Sequence, residues 1–231
     1  MKIERIITAF PERRVDYYPT IDSTMRAAAG LPRGAVALAD EQTAGQGRHG
    51  HSWHSPPGYG LYCSLVLAPT PLLTLALGLA VAEAIAVPCD LRWPNDVLLG
   101  GRKVAGILVQ LAGGDAIAGI GINVGPMSFP AGLAAEATSL ANEGVSTTRE
   151  DLLMALLPAV DRFTALAPND ILRLFARASS YVAGRRVTVR QPGGVIEGIT
   201  AGLDPDGFLV VRRDDGTDTL IVAGGVRAAG S

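Results

Sequence analysis

The feature that most constrains this chain is a change of hydrophobic period near Gly184. From Arg149 to about Tyr181, leucines and alanines recur at helical spacing, interrupted by Pro158 and Pro168, which predicts two or three helical segments. Beyond Gly184 the period becomes two. Apolar residues alternate over 187–189, 195–199, 208–211 and 219–222, separated by Pro192-Gly193-Gly194, Asp206-Gly207 and Asp215-Gly216. Short alternating runs joined by glycine turns predict a small antiparallel barrel, with a boundary near Ala183-Gly184. A length of 231 residues accommodates a main domain over 1–183 and a small one over 184–231.

Upstream, Asp22-Ser23-Thr24 offers N-cap chemistry to a short helix over 25–29, stopped by Gly30 and Pro32. Residues 35–39 and 61–67 read as buried strands, and between them lies the polar, glycine-rich segment 43–60. A structureless stretch of that length inside a compact domain points to function or disorder. After an apolar helix over 72–87, strand pieces at 91–93 and 97–99 turn through Gly100-Gly101-Arg102 into a returning strand over 104–111, and 117–124 forms another.

Composition narrows the function. With 48% apolar residues, 18% charged residues and a net charge of -2, the chain fits neither a disordered protein nor one that mainly grips nucleic acid, so a small-molecule site is the default. Cys63 and Cys89 are too few for a disulfide framework and indicate a reducing compartment. The start of the chain carries Lys2, Glu4 and Arg5 and lacks the apolar run of a signal peptide. The 72–87 segment contains Glu83 and falls short of the roughly 20 residues of a membrane span. A cytoplasmic location follows as the expectation, with no membrane or nucleic-acid partner.

Three segments carry chemistry. In Gln42-Thr43-Ala44-Gly45-Gln46-Gly47-Arg48-His49-Gly50-His51-Ser52-Trp53, glycines let backbone amides approach an anion and Arg48 adds a positive fork. The spacing is neither that of a P-loop nor that of a dinucleotide fingerprint, and a mobile surface loop is the bland alternative. In Arg92-Trp93-Pro94-Asn95-Asp96, an amide and a carboxylate follow a rigid Trp-Pro pair, and a hairpin would bring Lys103 to the carboxylate. Such a set supplies a cation for phosphates, a hard oxygen for magnesium and a polar group for a base or ribose, although alone it reads equally as a solvated Lys–Asp turn. The third, Gly119-Ile120-Gly121-Ile122-Asn123-Val124-Gly125, is weak by itself. His49, His51 and His54 raise the idea of zinc, which the absence of a nearby cysteine and the apparent mobility of the loop argue against.

In order, Ile21 to Thr24, Gln42 to Trp53, Arg92 to Asp96, Lys103 to Val109 and Gly119 to Val124 resemble the biotin–protein ligase family across nearly the whole chain. The resemblance implies an α+β fold: a mixed-sheet catalytic domain related to class II aminoacyl-tRNA synthetases, with a C-terminal Src-homology-3-like barrel. It implies ATP-dependent activation of biotin to biotinyl-5′-AMP and transfer to a lysine of a biotin carboxyl carrier protein domain, with magnesium as activator. By the same resemblance Ser23, Thr24, Gln42, Gly45 and Gly106 contact biotin, Arg48 and Lys103 are catalytic and hold its carboxylate with the α-phosphate, Gln46, Trp53, Asn95 and Asn123 contact the nucleotide, and Asp96 helps to hold magnesium.

The glycine-rich loop departs from the family pattern at Gln46, where arginine is usual, and at His49 and His51, where basic residues are common, so weaker retention of the adenylate is expected. Too few residues precede Ser23 for a DNA-binding domain, which implies a monofunctional enzyme; many relatives dimerise through the sheet, so a homodimer is possible. The rivals are a lipoate or octanoate ligase, a catalytically silent biotin-binding regulator and a generic nucleotide-binding protein. The complete order of motifs disfavours the last.

Overall fold

The structure is a computed structural model and describes residues 1–191 and 193–229. The expected turn residue Pro192 lies outside the described residues. Seven strands form the main sheet in the order β1-β2-β3-β7-β6-β5-β4: β1 (Val15–Ile21), β2 (Val36–Gln42), β3 (Gly60–Leu67), β4 (Asp90–Arg92), β5 (Asp96–Leu99), β6 (Arg102–Ala112) and β7 (Asp115–Asn123). Only β1 and β2 run parallel, joined through α2 (Thr24–Ala28), and every other neighbouring pair is antiparallel. The sheet is therefore mixed, as the α+β expectation requires.

α3 (Leu73–Ile85) has ten buried residues among its 13, so it is apolar nearly all round and sits between the sheet and two further helices, α4 (Arg149–Thr164) and α5 (Pro168–Arg177). Among the described residues no helix is long and apolar enough to cross a membrane. α2 covers the other face with a small apolar cluster of Met25, Ala28, Ala37, Val66 and Ile117.

One helical expectation is corrected. Pro158 does not interrupt the chain but lies inside α4. Pro158 is exposed while Leu152, Leu153, Leu156, Leu157 and Val160 are buried, so burial of that stripe holds the helix together where the missing N–H faces water. Elements not foreseen include α1 (Ile3–Ala9), which buries only Ile6, β1, whose residues are at most half-buried and carry little periodicity, and a last strand at Gly225–Ala228.

The C-terminal region is a five-stranded antiparallel sheet, order β11-β10-β9-β8-β12, built from β8 (Ala183–Gln191), β9 (Gly194–Leu203), β10 (Leu209–Arg212), β11 (Asp218–Ile221) and β12 (Gly225–Ala228). Val187, Val189, Leu209 and Val211 join the same apolar core as α3 and the main sheet. The β9–β10 turn plugs into that joint: the Gly207 carbonyl accepts from Trp93 Nε1 at 2.9 Å. Gly207 has φ +82°, and a Cβ there would lie 2.5 Å from Leu72 Cδ2. Gly207→Ala is expected to cost about 2 kcal/mol and to lower Tm by roughly 4–8 °C, read by calorimetry; an unchanged Tm would show that the joint is slack.

Candidate functional site

β6 and β7 pair Gly106 with Gly121 and Leu108 with Gly119. The intervening Ala118, Ile120 and Ile122 belong to the core beneath α3, so the glycines fall on the opposite, α2 face. With no side chain at Gly106, Gly119 or Gly121, this stretch of sheet lets other groups lie flat on it. A Cβ at Gly121 would stand 2.5 Å from Trp53 Nε1, and one at Gly106 would stand 3.0 Å from both Trp53 Cζ3 and Lys103 Nζ. Above this floor is a cavity of about 50 Å³, lined among others by Thr24, Gln42, Gln46, Arg48, Trp53 and Lys103.

The glycine-rich segment is pinched shut. Gln46 bridges Ser52, Gly47 N–H donates to the His51 carbonyl at 2.7 Å, and Trp53 N–H donates to the Gly45 carbonyl at 2.9 Å. This tight reversal turns the Trp53 ring inward, where Lys103 Nζ lies 5.3 Å from its centroid. Gly45 is needed for the pinch, since a Cβ there would come within 2.6 Å of the Trp53 carbonyl.

At one end of the cavity the polar groups are arranged around Gln42. Its Oε1 accepts from Thr24 N–H at 2.9 Å and from Thr24 Oγ1 at 3.0 Å, while its Nε2 donates to Ser55 Oγ at 3.0 Å. Thr24 Oγ1 also meets Ser64 Oγ at 2.8 Å. Ser23 Oγ and Trp53 Nε1 are buried with no hydrogen-bond partner among the described residues. Leaving such a group unpaired costs about 1–3 kcal/mol, which a polar ligand would recover.

At the other end stand the cations. Arg48 Nη1 donates to Asn95 Oδ1 at 2.9 Å and to the Gly224 carbonyl at 3.3 Å, so the turn before β12 reaches into the site. Burial lowers the Arg48 pKa, an effect that nearby Asp96 opposes. Lys103 Nζ crosses the bare Gly106 to Asp96 Oδ1 at 2.5 Å, and Arg92 Nη2 takes Asp96 Oδ2 at 2.7 Å. Burial alone would raise the Asp96 carboxyl, yet Lys103 and Arg92 hold it below the usual carboxylate range. In this arrangement both oxygens of Asp96, the residue expected to help to hold magnesium, are engaged by cations. Among the described residues no three His, Cys, Asp or Glu side chains gather into a metal-holding group.

Of the expected site residues, Thr24, Gln42, Gln46, Arg48, Trp53, Asn95, Lys103 and Gly106 line the cavity. Ser23, Gly45, Asp96 and Asn123 are not among its lining residues. Asn123 is 3% exposed and donates to the Thr138 carbonyl at 2.9 Å. Asn95, expected at the nucleotide, uses its amide to hold Arg48 and the Ile107 carbonyl.

Residues 17–126 match the biotin/lipoate A/B protein ligase family, and residues 182–226 match the biotin protein ligase C-terminal domain. The biotin–[acetyl-CoA-carboxylase] ligase of Mycobacterium tuberculosis is 36% identical, over 88% of this chain and 82% of that protein. The chain belongs to the biotin protein ligase family. The bifunctional ligase/repressor BirA of Bacillus subtilis is 33% identical over 90% of this chain and 72% of its own length. The biotin protein ligase from Aquifex aeolicus in complex with biotin and ATP superposes with a TM-score of 0.82 at 29% identity, covering 94% of this chain and 99% of that one.

Within a biotin protein ligase fold, several contributors to the site escaped sequence reasoning. Ser64 was legible as the one serine in the apolar run of β3, and Ser55 follows the loop motif by two residues. The Gly-Ile-Gly-Ile repeat of β7 encoded the floor, one face glycine and the other core. Nothing local marks Gly224, which lies 176 residues from Arg48. Cys63 lines the cavity, but burial pushes its thiol up to about 12, so it stays protonated.

The floor can be tested directly. In a Trp93→Phe background, which leaves Trp53 as the sole tryptophan, Gly121→Ala is expected to lift the ring and raise its acrylamide quenching about twofold or more. Unchanged quenching would mean that the ring does not rest on Gly121.

Proposed function

We propose that this chain activates biotin with ATP to biotinyl-5′-AMP and transfers the biotinyl group to a lysine of a biotin carboxyl carrier domain. The observation that carries this reading is that Arg48 and Lys103 line the same cavity as Thr24 and Gln42, whose hydrogen bonds lead on to Ser64 and Ser55. Biotin needs such a container: hydroxyls and an amide for the ureido ring and cations for the carboxylate. The unpartnered Ser23 Oγ supports its assignment to the ureido group.

In the first step the carboxylate oxygen attacks the α-phosphorus of ATP and pyrophosphate leaves. Arg48 and Lys103 offset the repulsion between the two anions and hold them in line. In the second step the carrier lysine amine attacks the acyl carbon, AMP leaves and one proton is lost. Trp53, folded inward by the loop, covers the mixed anhydride against water. Magnesium enters as the counter-ion of the nucleotide's phosphates, and Asp96 is not proposed as its ligand. The catalytic unit is taken as 1–183 and the small domain as 184–231, a division supported by the start of β8 at Ala183. A cytoplasmic location goes with a carboxylase partner.

Biotin-dependent pyrophosphate release, with lipoate and octanoate in parallel, tests the assignment. Release is expected with biotin alone, and release with lipoate or octanoate instead would move the chain to the sister activity. Lys103→Ala is expected to lose about 100-fold or more in rate and Gln46→Ala less than about tenfold, because only Lys103 places a charge at the reacting anions. Equal losses would refute the ranking.

A further inference from the structure

Asp96 poses a problem for the catalytic lysine. Its side chain is 13% exposed, and Lys103 Nζ is held on Oδ1 at 2.5 Å. To serve a carboxylate or phosphate in the cavity, the ammonium must loosen that contact, and a buried carboxylate left alone would oppose the move. Arg92 supplies the answer. Its side chain is 8% exposed and it grips Oδ2 with Nη2 at 2.7 Å and Nε at 3.2 Å. The three positions form one row across the sheet: Arg92 on β4 pairs with Asp96 on β5, and Asp96 pairs with Gly106 on β6, the glycine that Lys103 crosses.

We propose that Arg92 is a positioning residue for the adenylation step: it keeps Asp96 paired while Lys103 transfers its ammonium from Asp96 to the ligand anion. The proposal rests on the ligase assignment above. Arg92 touches neither substrate nor the reacting atoms and acts only through Asp96. Two cations share one carboxylate, so one of them is free to leave without stranding a charge. A lysine at position 92 offers a single ammonium in place of the two N–H groups now on Oδ2 and would do the same work less well.

The test uses the purified full chain, biotin titration and biotin-dependent pyrophosphate release. R92M is expected to lower kcat about 30-fold while changing biotin affinity less than about threefold, because the loss appears only when Lys103 moves. R92K should recover kcat to within about fivefold of wild type. R92M/D96N, in which neither charge remains to be stranded, should be at least about tenfold faster than R92M. Wild-type kcat in R92M, or a double variant as slow as R92M, overturns the proposal. Should R92M fail to fold, the double variant decides. Activity within about tenfold of wild type that Lys103→Ala abolishes upholds the proposal, and a folded but inactive double variant overturns it. Absence of release by the wild type would instead refute the ligase assignment itself.

Discussion

The close approach of Trp53 and Lys103 to the backbone at Gly106 and Gly121 is the constraint on which the site depends. A sheet normally presents side chains on both faces, and here β6 and β7 present none at the paired position. The opposite face keeps Ile120 and Ile122 in the core under α3, so the strands lose little of their own stability to the opening. Rigid strands thereby hold a floor that a loop would hold less well.

Charge is arranged around that floor in pairs that share partners. Asp96 serves Lys103 and Arg92, and Asn95 serves Arg48 and the Ile107 carbonyl. Arg48 also leans on the Gly224 carbonyl, so the C-terminal sheet completes the cationic end. The same sheet is fastened through Gly207 to Trp93, next to the Asn95-Asp96 pair. Stability of the joint and geometry of the site are in this way one property. The order of the loop in this structure has a local cause as well: three backbone hydrogen bonds close it on itself and two more tie Thr43 to Ile21 and Ala44 to Asp22.

Much of this was legible in the sequence because it is encoded by local pattern. The period change at Gly184, the apolar run of α3, the glycine-rich loop and the Trp-Pro-Asn-Asp hairpin each appear where expected. What could not be read has long-range origins. Pro158 was weighed by its backbone penalty alone, whereas the buried leucine stripe of α4 decides. The neighbours of Asp96 in sequence do not reveal that Arg92 and Lys103 engage both of its oxygens. Gln42 was expected to meet a ligand, and its commitment to Thr24 and Ser55 depends on strands that meet only after folding.

In the proposed reaction the 43–53 segment, with Trp53 folded inward, covers the adenylate against water. Hydrogen–deuterium exchange of the whole chain, followed by peptide mass with and without biotinyl-5′-AMP, addresses this directly. Exchange is expected to slow in 43–53 and in the β6–β7 strands, with β9 to β11 unaffected. Equal exchange in the 43–53 peptide under both conditions would contradict it.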